Sequence, residues 1–245
     1  MRAGVIAAVV LASLAFTGLL DRDRLLDGLP ALGQIASEMM PPDFARWREW
    51  LRPLLDTLAM SIAGTALAVA AAVPLALLAA SNTTPHPLLQ QAVRLLLNFV
   101  RSVPELILGI LFVAAVGFGA LPGVLALALH SIGMVGKFFA ESIEHVDPRP
   151  IEAARAAGGS PIQVIWHAVL PQVLPQMADT TVYRWEYNFR ASTVMGAVGA
   201  GGIGTELIGA LRLMDYPQVG AILLAILACV TVVDAIGQRV RRGLS

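Results

Sequence analysis

Between Thr57 and Ala80 the chain carries no charged side chain, and Ala, Leu and Val dominate the stretch. A hydrocarbon core about 30 Å thick is crossed by roughly 20 such residues as a helix. With no water to satisfy backbone N–H and C=O groups, a run of this kind has to pair them within itself. Other apolar runs lie at Val5–Leu20, at Val103–Gly119, before Ile143, and at Gln218–Ile236. With 57% hydrophobic and 14% charged residues and a mean hydropathy of +0.72, this is not an ordinary soluble domain. The 245 residues fit one all-α, polytopic membrane unit of five or six crossings at about 20 residues each plus loops. A formal charge of zero gives no case for nucleic acid, and the lone Cys229 allows neither an internal disulfide nor a Cys-based metal site.

From the N-terminus, Arg2 precedes the Val5–Leu20 run. Ser13-Leu14-Ala15 is an acceptable small-x-small cleavage site, but the apolar run continues past it and suits a retained first span better. Residues 21–52 carry both charges, Pro41-Pro42 and Trp47/Trp50, the pattern of an interfacial stretch with an aromatic anchor. The second span is Leu54–Ala80, rich in the small residues that let helices pack closely, with Pro74 expected to kink it. Asn82–Pro87 reads as a turn. Leu88–Val100 is amphipathic enough to lie at the interface before the third span starts near Val103. A Leu-Pro-Gly turn at 121–123 then leads to a fourth span carrying His130, Lys137 and Glu141. Lys137 and Glu141 can pair four residues apart, with His130 two turns earlier on the same side. No further His or Cys is spaced for zinc, so structural polar contacts or a place along a transport path are the readings that remain.

Residues 147–171, DPRPIEAARAAGGSPIQVIWHAVLP, form an amphiphilic island in this hydrophobic chain. Asp147 caps a first helix that tolerates Pro148 and Pro150 in its opening turn, where their missing N–H groups have no partners to lose. Gly158-Gly159 ends that helix with a left-handed residue. Ser160-Pro161-Ile162-Gln163 reads as a capping box that starts a second helix, expected to end near Leu170 because Pro171 follows. Two helices at an elbow make a docking knob.

The island resembles the EAA loop of ABC-importer permeases: Glu152-Ala153-Ala154, then Gly158, then Leu170-Pro171, with Ala168 where Ile is usual. Arg101-Ser-Val-Pro104 resembles an Arg-x-x-Pro found at the start of a span in the same family. The resemblance implies that 147–171 is a cytoplasmic coupling loop seated on an ATPase subunit, with Glu152, Ala153, Ala154, Gly158, Gly159, Leu170 and Pro171 as its coupling residues. It divides the chain into residues 1–53, an N-terminal helix plus a periplasmic or interfacial segment, and a permease core at 54–245. It also sets a parity problem. If this loop and the terminal Arg239, Arg241 and Arg242 are both cytoplasmic, a crossing must lie between about 176 and 200. Yet Asp179, Arg184, Glu186, Asn188 and Arg190 fall there. Each charge facing lipid at mid-membrane costs about 2.5–3.5 kcal/mol, so this helix must turn its charges to protein or water. Local spacing pairs Glu186 with Arg190, and Arg184 with Asn188.

Gly199-Ala-Gly201-Gly202-Ile-Gly204 matches G-x-G-x-x-G, but a polar transmembrane helix precedes it where a dinucleotide site needs a strand. The four glycines read instead as a bend and close-packing point where a gate would be useful. Asn188-Phe-Arg190-Ala-Ser-Thr-Val-Met-Gly196 and Val198 to Leu207 are similar to permeases of phosphonate and phosphite importers, with methionine-type permeases as the alternative. The string His130, Lys137, Glu141 and the Leu211-Arg212-Leu213 segment near Tyr216 fit the same pattern.

This resemblance implies a type I (MetI-like) permease, forming a homodimer in the bacterial inner membrane with both termini cytoplasmic. Two ATPase subunits would lie below it and a periplasmic binding protein above. ATP and Mg would be used by the ATPases, since this chain carries no P-loop. Glu186, Asn188, Arg190, Lys137 and His130 are the candidate pathway residues, because charged and polar groups within a span must face protein or water; structural contacts are the alternative. An intramembrane enzyme would need a nucleophile–base or metal constellation, and His86, His130, His145, His167 and Cys229 offer none. A channel or secondary carrier would transport without an ATPase.

Overall fold

The computed structural model describes residues 2–243, and the side chains of all but 2, 3, 24 and 25 among them. The flanking charge read at Arg2, and residues 244 and 245 of the permease core, lie outside that description. Among the described residues every regular element is helical. The helices are α1 (Arg2–Phe16), α2 (Arg22–Glu38), α3 (Trp47–Ala79), α4 (Pro87–Ser102), α5 (Glu105–Val116) and α6 (Ala120–Glu144). There follow α7 (Pro148–Ala156), α8 (Pro161–Val164), a π-helical turn (Ile165–Val169), α9 (Leu170–Met195), α10 (Ile203–Arg212) and α11 (Tyr216–Arg242).

By length and composition α3, α6 and α11 are each sufficient to cross a bilayer. Two bent pairs raise the number to five: α4 with α5, bent by 84°, and the α8–α9 segment with α10, bent by 45°. The N-terminal α1 has 15 residues, about 22 Å at 1.5 Å per residue, shorter than the hydrocarbon core. The polar segment 176–198 is helical almost throughout, within α9 and a 3-10 turn at Gly196–Val198.

α3, α6 and α9 form the centre. Ala68, Ala72, Ala76 and Ala79 recur every three or four residues along α3, and all four are fully buried. Their small side chains let backbones approach closely, so van der Waals contact substitutes for a hydrophobic drive that lipid cannot supply. Gly64 serves the same contact: a Cβ there would stand 3.0 Å from Leu127 Cβ of α6.

Several local expectations change. Trp50 is no interfacial anchor: it is 2% exposed, in an apolar cluster with Ile203, Val219 and Ile222, because its face of α3 meets α10 and α11. Trp47 keeps an exposed ring. α3 runs continuously through Pro74. Leu121-Pro122-Gly123 lies inside the first turn of α6, where proline costs no hydrogen bond; the turn is at Gly117 and Gly119, both with positive φ. Pro171 does not end the second loop helix. The π-helical turn at Ile165–Val169 widens the coil, Leu170 N–H reaches back to Ile165 O, and the chain continues into α9.

Candidate functional site

The elbow at 147–171 is built by backbone chemistry. Asp147 accepts a hydrogen bond from Arg149 N–H at 3.0 Å and caps α7. The Arg149 side chain, then its backbone N–H, hold the Asp147 carboxyl below its ordinary pKa. At the other end Gly158 N–H donates to Arg155 O at 2.9 Å and Gly159 N–H to Ala154 O at 3.0 Å. That pair of bonds is a Schellman ending, with Gly158 at φ +81 in the left-handed position. Gly159 is required differently, since a Cβ there would come within 2.8 Å of Ala154 O. Ser160 and Gln163 form both halves of a capping box, and Pro161 occupies the first helical position of α8.

One face of the elbow is fastened to the membrane core. Ile151, Val164 and Ala168 are buried there, with Ala154 and Leu170 packed against them. Gln172, which sequence reasoning missed, closes the base: its Oε1 accepts from Asp147 N–H at 3.0 Å, and its Nε2 donates to Ala168 O at 2.6 Å. The opposite face is open. Glu152, Ala153, Gly158 and Pro171 are exposed, and so are Ile162 at 78% and Trp166 at 66%. Ile162 and Trp166, four residues apart on the side away from Val164 and Ala168, were a legible amphipathic signal.

α9 turns two polar stripes toward protein. The first faces α3 and α6: Asn188 Nδ2 donates to Thr65 Oγ1 at 2.9 Å, and Ser131 Oγ donates to Asn188 Oδ1 at 3.1 Å. Arg184 Nε donates to Ser131 Oγ at 2.8 Å, and its guanidinium lies 4.3 Å from the Tyr187 ring centroid. Arg184 and Asn188 therefore share Ser131 and do not bond each other. The second stripe faces α11, with which α9 runs antiparallel. Here the expected Glu186–Arg190 pair gives way to interhelical ones. Arg190 Nη2 lies 2.6 Å from Asp234 Oδ1, and Glu186 Oε1 lies 2.9 Å from Arg241 Nη2. Arg241 also stands 3.9 Å from Asp179. Glu186 settles against the backbone of α11 because Gly237 has no Cβ to exclude its carboxylate.

His130, Lys137 and Glu141 of α6 do not form one group. Lys137 and Glu141 pair at 3.4 Å as their spacing predicts. His130 does not join them: it is buried, with Nδ1 3.0 Å from Val103 O and Nε2 3.5 Å from Glu105. Among the described residues no group of three or more His, Cys, Asp or Glu is placed to hold a metal.

The glycine segment is a tight bend. Gly199, Gly201 and Gly202 all have φ near +80. Gly199 O accepts from Gly119 N–H at 3.2 Å, tying the bend to the α5–α6 turn. Gly204, in the first turn of α10, sits against Gly196 and Thr193 O, in a space that admits no Cβ. Among the described residues no strand precedes the bend; α9 and the 3-10 turn do.

Residues 72–245 match the family described as "Binding-protein-dependent transport system inner membrane component". The chain belongs to that family. It is 66% identical over 238 residues to the phosphite transport system permease protein PtxC of Stutzerimonas stutzeri, spanning 97% of this chain and 86% of that one. It is 44% identical over 218 residues to the phosphate-import permease protein PhnE of Mycolicibacterium smegmatis, covering 89% of this chain but 41% of that longer protein. In fold, this inner membrane component superposes on a chain of the inward-facing MetNI methionine ABC transporter with a TM-score of 0.69. The match has 22% identity and covers 80% of this chain and 96% of the other. The chain is thus a multi-pass permease of the phosphite and phosphonate ABC importer group, and its homologues are transport subunits.

Proposed function

We propose that this permease carries phosphite, or a closely related small phosphorus oxyanion, into the cytoplasm, and that the 147–171 elbow receives the driving motion from separate ATPase subunits. The observation that carries this reading is the open face of the elbow. Ile162 and Trp166 stand exposed on a segment that caps, a Schellman turn and the Gln172 clasp hold rigid. Exposed aromatic and aliphatic anchors on a pre-organised support are what a partner groove selects. The ATP and Mg would belong to two such partners; a periplasmic binding protein would deliver the anion to a dimer of this chain. With the elbow cytoplasmic, α9 and α11 return the terminal arginines to that side, and a sixth crossing by α1 would place the N-terminus there too. Alternation between inward- and outward-open states would pass the push from the elbow through Leu170 into α9, because the π-turn joins the two without a loop.

Trp166→Ala tests the reading. Truncating a central aromatic anchor costs about 2 kcal/mol or more, roughly a 30-fold loss of affinity. The variant permease, solubilised in mild detergent, is therefore expected to retain the ATPase subunit about 30-fold less well in a titrated pull-down, at an unchanged melting temperature. Equal retention would remove the elbow from the interface.

A further inference from the structure

Arg101, near the end of α4, is a partly buried guanidinium that forms no ion pair among the described residues; its Nε donates to Asn98 Oδ1 at 3.2 Å. It lines a cleft of about 260 Å³ between α4 and α6 that also holds Arg94, Lys137, Glu141 and Glu144. The other two cations are matched: Arg94 Nη2 lies 2.6 Å from Glu144, and Lys137 Nζ lies 3.4 Å from Glu141. Glu144 is further engaged by Ser81 N–H at 2.7 Å. One positive charge is left over, and it is the one on Arg101.

The cleft is built into the helix contact. Gly133 and Gly136 of α6 have no side chains, so the backbone of α4 comes close enough that a Cβ on Gly133 would meet Arg101 N and Leu97 O at 2.7 Å. This approach sets Arg94, Asn98 and Arg101 over Lys137 and Glu141. On the adjoining side of α4, Leu88, Leu95 and Phe99 form an exposed apolar stripe, each about 70% accessible. The charged end of the cleft, with Arg94, Lys137, Glu141 and Glu144, lies at the last turns of α6, just before the polar elbow, where α6 leaves the hydrocarbon. The cleft then opens at headgroup depth, beside a strip suited to acyl chains.

We propose that this cleft is a binding site for the phosphate of an anionic phospholipid. A phosphodiester carries one negative charge, which matches the single unpaired cation; the Arg101 fork and Asn98 amide supply donors, and Leu95 and Phe99 border the lipid tails. The cleft shares no lining residue with the 147–171 elbow, and lipid binding there does not require an ATPase.

Native mass spectrometry of the full-length permease in detergent, titrated with phosphatidylglycerol or phosphatidylcholine, reads the site directly. Phosphatidylglycerol is expected to be retained in preference, about five-fold less well in Arg101→Gln, the contribution of one basic residue near a membrane surface. Millimolar phosphite should not displace it. A photoactivatable phosphatidylglycerol on the unaltered chain should crosslink to the peptide containing residues 94–101, a readout that needs no variant. Equal retention of the two lipids, an unaffected Arg101→Gln, or crosslinks confined to other helices would overturn the proposal. Displacement by phosphite would overturn it as well, by assigning the cleft to the free oxyanion.

Discussion

Replacing Gly158 by glutamate is expected to abolish ATP-driven phosphite uptake while the membrane helices remain folded. A Cβ at this position meets nothing within 4 Å, so crowding is not the cause. The cause is the backbone. At φ +81 the Cβ of an L side chain costs about 1–2 kcal/mol, and relief comes by undoing the two Schellman bonds to Arg155 and Ala154. That tilts α7 against α8 and takes Glu152 and Trp166 out of their fixed relation. Asparagine tolerates the left-handed region, so Gly158→Asn is expected to keep most of the uptake. Uptake by the two variants, set beside ATPase retention on the solubilised permease, checks the claim. Equal uptake in both would mean that the turn geometry does not matter.

The second large effect is expected at Arg190. Its ion pair with Asp234 joins α9 to α11, and the Arg190 side chain remains 48% exposed; on the proposed pathway role, its remaining guanidinium donors would meet a passing oxyanion. Losing a hydrogen bond to a charged group costs about 1.5–3 kcal/mol, so Arg190→Gln should lower uptake roughly 10- to 100-fold. Arg190→Lys keeps the charge but loses the fork and should fall between. Asp234→Asn removes the interhelical partner while sparing the cation, and is expected to leave uptake near that of the parent. A purely structural pair gives the opposite pattern. Arg190→Gln and Asp234→Asn would then fail alike, and the exchange Arg190→Asp with Asp234→Arg would restore function. Size-exclusion profiles of each variant separate a lost path from a lost assembly.

The caps, the elbow and the Lys137–Glu141 pair were legible in the sequence because each depends on residues two to four positions apart. Gly158, the Ser160–Gln163 box and Asp147 behave as their spacing requires. The partners of α9 were not legible. Local spacing pairs Glu186 with Arg190, but both lie on the stripe facing α11, where Arg241 and Asp234 compete for them from far along the chain. Helix packing chose the distant partners, and Gly237 made room for one of them. Gln172 was missed for a related reason. Its contact with Asp147 exists only because the elbow returns on itself. Pro171 misled through a rule true of α-helices, since a π-turn just before it removes the conflict.

ATP-dependent uptake of labelled phosphite into proteoliposomes measures the central claim most directly. The vesicles would hold this permease with its ATPase subunits, supplied with binding protein and phosphite outside and ATP inside. The account predicts accumulation above the external concentration, lost when ATP or the ATPase is omitted and lost again with Gly158→Glu. Phosphite flux through vesicles holding this chain alone, at a rate unchanged by the ATPase and ATP, would contradict it.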